Sequence, residues 1–167
     1  MSYPIIKIAA QYIDGFAQAV DSVARELRYL AFTEGPPLET TVAYVQQNLA
    51  EDWPHFIALD GEKVIGWCDI ASLHRPVLEH SGVLGLGVIR EYRGLGIGTR
   101  LISTALQAAK ERGLSRVVLT VRERNEIAIQ LYKSFGFFQE GRHIKAVKIN
   151  GHYENHLSME LLISEND

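Results

Sequence analysis

The sequence predicts a single α/β (α+β) domain in which helices flank a mixed sheet. Strand-like and helix-like hydrophobic patterns alternate along the chain, and turn signals join some of the strand patterns into hairpins. An apolar strand also runs directly into a glycine-rich turn that opens a helix. A length of 167 residues is ordinary for one domain, so we expect residues 1–167 to form one unit.

The N-terminal part of the chain predicts a strand followed by two helices. Residues 5–9 alternate as a strand does, and apolar side chains at helical spacing then continue from residue 13 to residue 30. Gly35-Pro36-Pro37 ends this helix. Thr40 or Thr41 is expected to cap the second helix.

The middle of the chain predicts a hairpin and then a buried strand. Residues 56–59 and 64–70 are strand-like and flank an Asp-Gly turn signal. Residues 83–89 are apolar except for Gly85 and Gly87. Because glycine weakens a strand interior and often marks an irregularity, we expect a bulge at these two positions.

The C-terminal part alternates again and ends in a hairpin. Residues 101–109 predict a helix, residues 117–121 a strand, and residues 125–135 a helix that Gly136 ends. Asn150-Gly151 is the strongest local turn signal in the chain, and it joins strand patterns at residues 144–149 and 156–162.

Composition narrows the function classes. The formal net charge of −3 argues against broad binding to nucleic acid. Cys68 is the only cysteine, so no disulfide can form within the chain. The first residues do not resemble a secretory leader, and no apolar stretch is long enough to cross a bilayer. We therefore expect a cytoplasmic protein with neither a nucleic-acid nor a membrane partner.

The turn from Arg93 to Thr99 is suited to an anion. Its glycines let the backbone approach a ligand closely, and the amides of a helix's first turn carry the positive end of the helix dipole. Arg93 and Arg100, with Arg90 before them, favour a pyrophosphate over a single carboxylate.

Glycine spacing separates the phosphate-binding motifs that this turn could represent. A P-loop needs Gly-Lys-Ser/Thr where this chain has Gly98-Thr99-Arg100, which excludes it. A dinucleotide fingerprint needs a further glycine where this chain has Thr99 or Leu101, which weakens that alternative. Glu123 follows the next strand, where a ribose-binding acid could lie, so a dinucleotide-binding oxidoreductase stays open.

Two segments carry a resemblance to a known family. Arg93-Gly94-Leu95-Gly96-Ile97-Gly98 resembles the Arg/Gln-x-x-Gly-x-Gly/Ala motif of the GCN5-related N-acetyltransferase (GNAT) superfamily. The later run Asn125-Glu126-Ile127-Ala128-Ile129-Gln130-Leu131-Tyr132-Lys133-Ser134-Phe135-Gly136-Phe137 is similar to its Asn-x-x-Ala-x-x-Leu-Tyr-x-x-x-Gly-Phe segment. The resemblance implies the GNAT fold, a mostly antiparallel twisted sheet flanked by helices, whose bulged central strand splays from its neighbour.

The resemblance also implies an activity and a cosubstrate. A GNAT enzyme uses acetyl-CoA, without a metal, and transfers the acetyl group to a primary amine that attacks the thioester directly. A small-molecule amine or a protein N-terminus could be the acceptor, and family habit suggests a homodimer through the late hairpin. The alternative is a GNAT-fold module that binds acyl-CoA as a sensor without turnover.

The resemblance assigns roles to particular residues. Tyr132 matches the tyrosine that protonates the CoA thiolate, and an ordinary tyrosine pKa of about 10 keeps its proton available. Asn125 lies on the same helix face, where it could bind the cofactor arm or cap the helix. The expected cofactor-binding residues are Leu86, Gly87, Val88, Arg93, Gly94, Leu95, Gly96, Ile97, Gly98, Thr99, Asn125, Ala128 and Tyr132.

The general base is the least defined part of this prediction. Glu79 and His80 are the candidate bases, because they precede the glycine-containing strand, near where some relatives place a glutamate. Many relatives instead bind amines that are already neutral. A covalent acetyl-enzyme is not expected, because Cys68 lies in a predicted strand without a paired base. The late histidines show no metal-ligand spacing.

Overall fold

The structure is a computed structural model that describes residues 2–164, which form seven strands and four α-helices. The strands are β1 (Ile5–Lys7), β2 (His55–Asp60), β3 (Lys63–Ser72), β4 (Ser81–Val88), β5 (Arg116–Arg122), β6 (Phe138–Ile149) and β7 (His152–Leu162). The helices are α1 (Ile13–Ala24), α2 (Leu38–Ala50), α3 (Ile97–Arg112) and α4 (Glu126–Ser134).

All seven strands belong to one sheet of order β1-β2-β3-β4-β5-β7-β6. Every neighbouring pair is antiparallel except β4 and β5, which are parallel. This arrangement confirms the predicted mixed, mostly antiparallel sheet. The parallel pairing covers only Ser81–Val83 and its partners Arg116–Val118, after which the two strands separate. We call the space beyond, between residues 84–88 and residues 119–122, the β4–β5 gap.

The helices lie in two layers. On one face, Phe16 of α1 packs edge-on against Trp67 of β3, with ring centroids 5.9 Å apart. On the other face, Leu101 of α3 lies against Gly66 of β3, and Leu131 of α4 lies beside Gly98 of α3. Apolar side chains fill both interfaces, and a large side chain such as Leu101 that is fully removed from water contributes about 1.5–3 kcal/mol.

The end of α1 differs from the prediction. Apolar spacing predicts a helix to residue 30, whereas α1 ends at Ala24 and Leu27 has a positive φ of 58°. The buried guanidinium of Arg122 donates to the carbonyl oxygens of Leu27 and Leu30, at 2.7 Å each. A distant arginine therefore binds the carbonyls that a longer helix would have used in its own hydrogen bonds. The apolar spacing of residues 13–30 cannot reveal such a partner.

The start of α2 also differs. The amides of Thr40 and Thr41 donate to the carbonyl of Pro37, which occupies the cap position with an extended ψ of 142°. Neither threonine is the cap, because the helix begins two residues earlier, at Leu38. Proline already has the φ that a helix start requires.

The bulge expected at Gly85 and Gly87 is absent from the pairing of β4 with β3, which runs in unbroken register from Gly82 to Val88. A Cβ on Gly87 would collide with the indole ring of Trp67, and one on Gly85 would stand 2.6 Å from Oδ1 of Asp69. These glycines therefore make room for side chains of β3. The splay itself, expected from the family resemblance, occurs on the β5 side.

The last hairpin is confirmed. Asn150 and Gly151 have φ values of 50° and 80°, as a two-residue turn between twisted strands requires. The strands are longer than predicted, since β6 begins at Phe138 instead of residue 144. Most of β6 is exposed on both faces, so its extra residues lack the alternation that marks a half-buried strand.

Candidate active site

The backbone of β4 supplies the wall of the β4–β5 gap. The amide of Ile89 donates to the carbonyl of Ile65, at 3.0 Å, so it points towards β3. Backbone groups alternate in direction along an antiparallel strand. The amides of Leu86 and Val88 therefore face the gap, while that of Gly87 faces β3. Of the three backbone positions predicted to bind the cofactor, two can do so.

The turn between β4 and α3 presents unpartnered amides. Gly94 and Gly96 have φ values of 75° and 77°, where a side chain would be strained. Gly96 is the N-cap of α3 and provides no side-chain cap. Within residues 2–164, the amides from Gly94 to Thr99 have no acceptor. Together with the dipole of a 16-residue helix, they are suited to an anion, as the sequence predicts.

The arginines around this turn are already bonded to the protein. Arg93 donates from Nε to the carbonyl of Val88 (2.8 Å) and from Nη1 and Nη2 to the carboxylate of Glu26 (2.9 and 2.6 Å). Its guanidinium also stacks over Tyr29, 4.7 Å from the ring centroid. Each of its three nitrogens has a protein acceptor, so its side chain ties the connection after α1 to the turn, and the phosphate contact expected from the sequence stays a prediction.

Arg90 and Arg100 are also hydrogen-bonded to protein groups. Arg90 also reaches Glu26, at 3.3 Å, and Arg100 donates to the carbonyl of Tyr3, at 2.8 Å. The hydrogen bonds from Arg93, and more weakly from Arg90, hold the pKa of Glu26 below its ordinary value. The backbone amides are consequently the main feature of this turn that remains available to an anion.

Tyr132 of α4 lies on the α3 side of the sheet. It is 7% exposed, and its ring packs against Phe137 with centroids 5.7 Å apart. Among the described residues, none forms a hydrogen bond with its hydroxyl. Burial, with a smaller effect from Cys68, raises the pKa of Tyr132 well above its ordinary value. The phenol therefore stays protonated at neutral pH.

Asn125 has the local role that the sequence left open. Its Oδ1 accepts from the amide of Ala128, at 3.2 Å, so it is the N-cap of α4. Ala128 is partly exposed on the same face as Tyr132, one turn earlier. The methyl side chain of Ala128 leaves space beside the tyrosine.

Glu79 and His80 lie apart from these groups. Both side chains are exposed at the start of β4, and the carbonyl of His80 accepts from the amides of Ser115 and Arg116. This is the end at which β4 and β5 are still joined. Leu86 lies five residues beyond Ser81, a distance of about 17 Å along an extended strand. The structure therefore does not bring Glu79 or His80 together with Tyr132.

Asp69 and Tyr44 are functional candidates that the sequence reasoning missed. Asp69 is 6% exposed, lies opposite Gly85, and accepts a hydrogen bond from the hydroxyl of Tyr44. Burial raises the pKa of Asp69 to about 6, although the Tyr44 hydrogen bond opposes this shift. The signal in the sequence was a lone carboxylate inside the apolar run of residues 64–70.

No three His, Cys, Asp or Glu side chains within residues 2–164 lie together as a metal site requires. No helix in that range has the length and apolar character needed to span a membrane.

Comparison with known proteins adds a family and a fold. The model of the acetyltransferase (GNAT) family matches residues 22–137. An N-alpha-acetyltransferase from Sulfurisphaera tokodaii is 34% identical over 143 residues, which cover 80% of this chain and 79% of that protein. N-alpha-acetyltransferase 30 from Schizosaccharomyces pombe is 34% identical over 97 residues, covering 56% of this chain and 65% of that protein.

Solved structures share the whole architecture. A GNAT-family acetyltransferase from Streptococcus pneumoniae superimposes with a TM-score of 0.90 at 23% identity, covering 97% of this chain and all of that one (100%). A putative acetyltransferase from Salmonella typhimurium, solved with its cofactor acetyl-CoA, gives a TM-score of 0.92 at 14% identity, covering 99% and 96% of the two chains. These similarities show the fold.

Proposed function

Since this chain belongs to the acetyltransferase (GNAT) family and is therefore an N-acetyltransferase, we propose that it transfers the acetyl group of acetyl-CoA to a primary amine by direct attack on the thioester. The observation that carries this proposal is the β4–β5 gap. It runs from the unpartnered amides of the Gly94–Thr99 turn along the free edge of β4 to Leu86, whose partner on β3, Cys68, lies near Tyr132.

The described residues fit acetyl-CoA. The amides of residues 94–99 would hold the pyrophosphate, because they lack acceptors and lie at a helix N-terminus. The gap-facing backbone of Leu86 and Val88 would hydrogen-bond the pantetheine arm as a strand of the sheet would. When bound, acetyl-CoA supplies the thioester that is attacked.

Two groups of the chain would assist the reaction. The amide of Leu86 donates to the thioester oxygen and stabilises the negative charge that develops there. Tyr132, kept protonated by burial, donates its proton to the departing thiolate. Cys68 takes no covalent part, because burial raises the pKa of its thiol well above the ordinary value and leaves no thiolate to attack.

The acceptor we favour is the α-amino group of a protein or peptide. The relatives from Sulfurisphaera tokodaii and Schizosaccharomyces pombe are both named N-alpha-acetyltransferases. An extended chain could approach the gap past residues 25–37, the connection from α1 to α2, where Phe32 is 48% exposed. Small-molecule amines are the competing acceptor class.

A turnover screen tests this function. Release of the CoA thiol from acetyl-CoA is measured against short peptides with free α-amino groups and against small primary amines. We expect turnover with at least one amine and the greatest activity with a peptide. Failure of the wild-type protein to acetylate any of them would contradict the proposed function.

Substitution of Tyr132 tests the acid. Tyr132→Phe is expected to lower kcat by about 100-fold or more and to leave the Kd for CoA unchanged, because general acid catalysis contributes about 10²–10⁴. Tyr12→Phe removes a hydroxyl at the N-terminal end of α1 and is the matched control, with wild-type turnover. Equal turnover of the Tyr132 variant and the control would remove Tyr132 from the mechanism.

A further inference from the structure

Asp69 occupies an unusual place for a carboxylate. It lies on β3, within the sheet, and only 6% of it is exposed. Neighbouring positions of β3, such as Trp67, pack against the aromatic side chain of Phe16 on α1. No arginine or lysine pairs with Asp69 among the described residues. A buried carboxylate without a cation is costly, and such groups are often retained for function.

Gly85 gives this carboxylate access to the gap. Asp69 and Gly85 face each other across β3 and β4, and Oδ1 of Asp69 lies 2.6 Å from the position of a Cβ on Gly85. The carboxylate therefore takes the space that a side chain of β4 would otherwise fill. Asp69 lies on the β3 side of β4, and the gap borders the other edge of β4. Because neighbouring strands are about 4.8 Å apart, an amine in the gap is within reach of Oδ1, directly or through one water molecule.

Tyr44 of α2 orients the carboxylate. Its hydroxyl donates to Oδ2, which leaves Oδ1 as the oxygen above Gly85. Burial, together with the nearby charge of Asp69, raises the pKa of Tyr44 above its ordinary value, so this hydroxyl remains a donor. The pair therefore holds one carboxylate oxygen in a fixed position.

Asp69 and Tyr132 lie on opposite faces of the sheet. Asp69 meets α2 on one face, whereas Tyr132 belongs to α4 and lies on the face of α3. A thioester in the gap would have a carboxylate on one side and a protonated phenol on the other. We propose that Asp69, positioned by Tyr44, is the general base that takes a proton from the incoming ammonium. This inference rests on the proposed function and assigns its missing base.

The ammonium group gives one proton to Asp69, and the neutral amine then attacks the acetyl carbon. A C–N bond forms and the C–S bond breaks. Nitrogen loses a second proton to solvent as the amide forms, and Tyr132 gives its proton to the thiolate. Tyr132 then regains a proton from solvent and Asp69 releases one, so the net products are the amide, CoA thiol and one proton.

The groups around Asp69 leave it as the one that titrates near pH 6. From β2, His55 lies beside Tyr44, with ring centroids 6.0 Å apart, and burial lowers its pKa to about 4. On β3, burial raises the pKa of the adjacent Cys68. From β4 the neighbour is Gly85, which does not titrate, and Phe16 of α1 packs against His55 and Trp67.

The test compares three variants with the amine found in the turnover screen. Asp69→Asn keeps the size of the side chain and an acceptor for Tyr44. We expect kcat/KM to fall by about 10²–10³-fold, the Kd for CoA to be unchanged, and the acidic limb near pH 6 to disappear. Tyr44→Phe removes a hydrogen bond that favours the carboxylate, so its acidic limb should move to higher pH.

Asp60→Asn is the matched control. Asp60 also accepts from a tyrosine, Tyr92, at 2.6 Å, but it is exposed at the end of β2. We expect it to keep the wild-type rate and pH profile. An Asp69→Asn protein that binds CoA normally and retains the wild-type rate would overturn the assignment while leaving the proposed function intact. Absence of turnover in the wild type would overturn both.

Discussion

At the residue scale, the glycines between residues 85 and 98 are required for two different physical reasons. Gly85 and Gly87 are required by neighbours, because the side chains of Asp69 and Trp67 fill the space that a Cβ would need. Gly94 and Gly96 have open space around them and are required by their positive φ. Gly98 has neither constraint, since a Cβ there would make an ordinary 3.6 Å contact with Leu131.

Alanine substitutions separate these reasons. Gly87→Ala forces a methyl group into the Trp67 ring and should lower the free energy of unfolding by about 1–3 kcal/mol. Gly98→Ala should change it by less than about 1 kcal/mol. Urea denaturation of both variants measures the difference. Similar midpoints for the two would show that the space beside Trp67 is not the reason for Gly87.

The turn glycines should affect ligand binding as well. Gly96→Ala places a side chain at a φ of 77°, which costs about 1–2 kcal/mol or displaces the amides of the turn. We expect weaker CoA binding by about 10-fold, measured by isothermal titration calorimetry, with Gly113→Ala, a positive-φ glycine at the opposite end of α3, as the control. Unchanged affinity would argue against the pyrophosphate site at residues 94–99.

At the scale of elements, the connection that follows α1 is held on both sides of the β4–β5 gap. Arg93, after β4, binds Glu26 and stacks on Tyr29. Arg122, at the end of β5, binds the carbonyls of Leu27 and Leu30. The connection therefore bridges the two strands where they lie apart, and it forms part of the wall that an acceptor would meet.

A double-mutant cycle measures this attachment. The Glu26 and Arg93 side chains are 11% and 30% exposed and are joined by two hydrogen bonds, so we expect a coupling of about 1–3 kcal/mol. The control cycle is the exposed pair Asp21 and Arg25, with 39% and 59% exposure and an expected coupling below about 1 kcal/mol. Equal couplings would mean that the bridge adds no more than a surface ion pair.

The pH dependence of Glu26 follows from the same bond. Its folded pKa is lowered, so its contribution is present above the unfolded value of 4.5 and is lost as the pH falls below it. The coupling in the cycle should therefore shrink in acid.

At the scale of the whole molecule, the described residues share one continuous sheet from β1 to β7. Two buried groups on its α1–α2 side, His55 and Asp69, link the stability of the fold to pH in opposite directions. Neutral His55 contributes stability that is present above pH 6.5 and lost as the pH falls towards about 4. The raised pKa of Asp69 works the other way, because stability is lost as the pH rises from 3.8 to about 6.

Each effect amounts to about 3 kcal/mol, so the two should largely cancel in the wild-type protein between pH 4 and 6. Asp69→Asn removes one of them. Its free energy of unfolding should therefore fall steeply on acidification from pH 6.5 to pH 4, and His55→Asn should show the reverse slope. Urea midpoints at several pH values check this, and parallel curves for all three proteins would contradict it.

The sequence predicted the order of elements, the mixed sheet and the family, and these predictions are confirmed. It succeeded where the cause is local: apolar periodicity, the Asn150-Gly151 turn and the motif spacing of the glycine turn. The end of α1 was predicted wrongly because a distant residue, Arg122, holds the carbonyls that follow it. The N-cap of α2 was predicted wrongly for a local reason, because Pro37 takes that position in place of the predicted threonines.

The candidate site also contains some residues that the sequence could predict and others that it could not. Tyr132 and the amides of residues 94–99 could be predicted, because a motif within one segment specifies them. The juxtaposition of Asp69, Tyr44 and Gly85 could not, because it joins three elements through the register of β3 with β4 and the packing of α2. The sequence by itself thus determined the fold class and the glycine-rich turn before α3 through short-range backbone and hydrophobic preferences. Only the tertiary structure decided which carboxylate lies beside the gap, because contacts between distant segments form when the core packs.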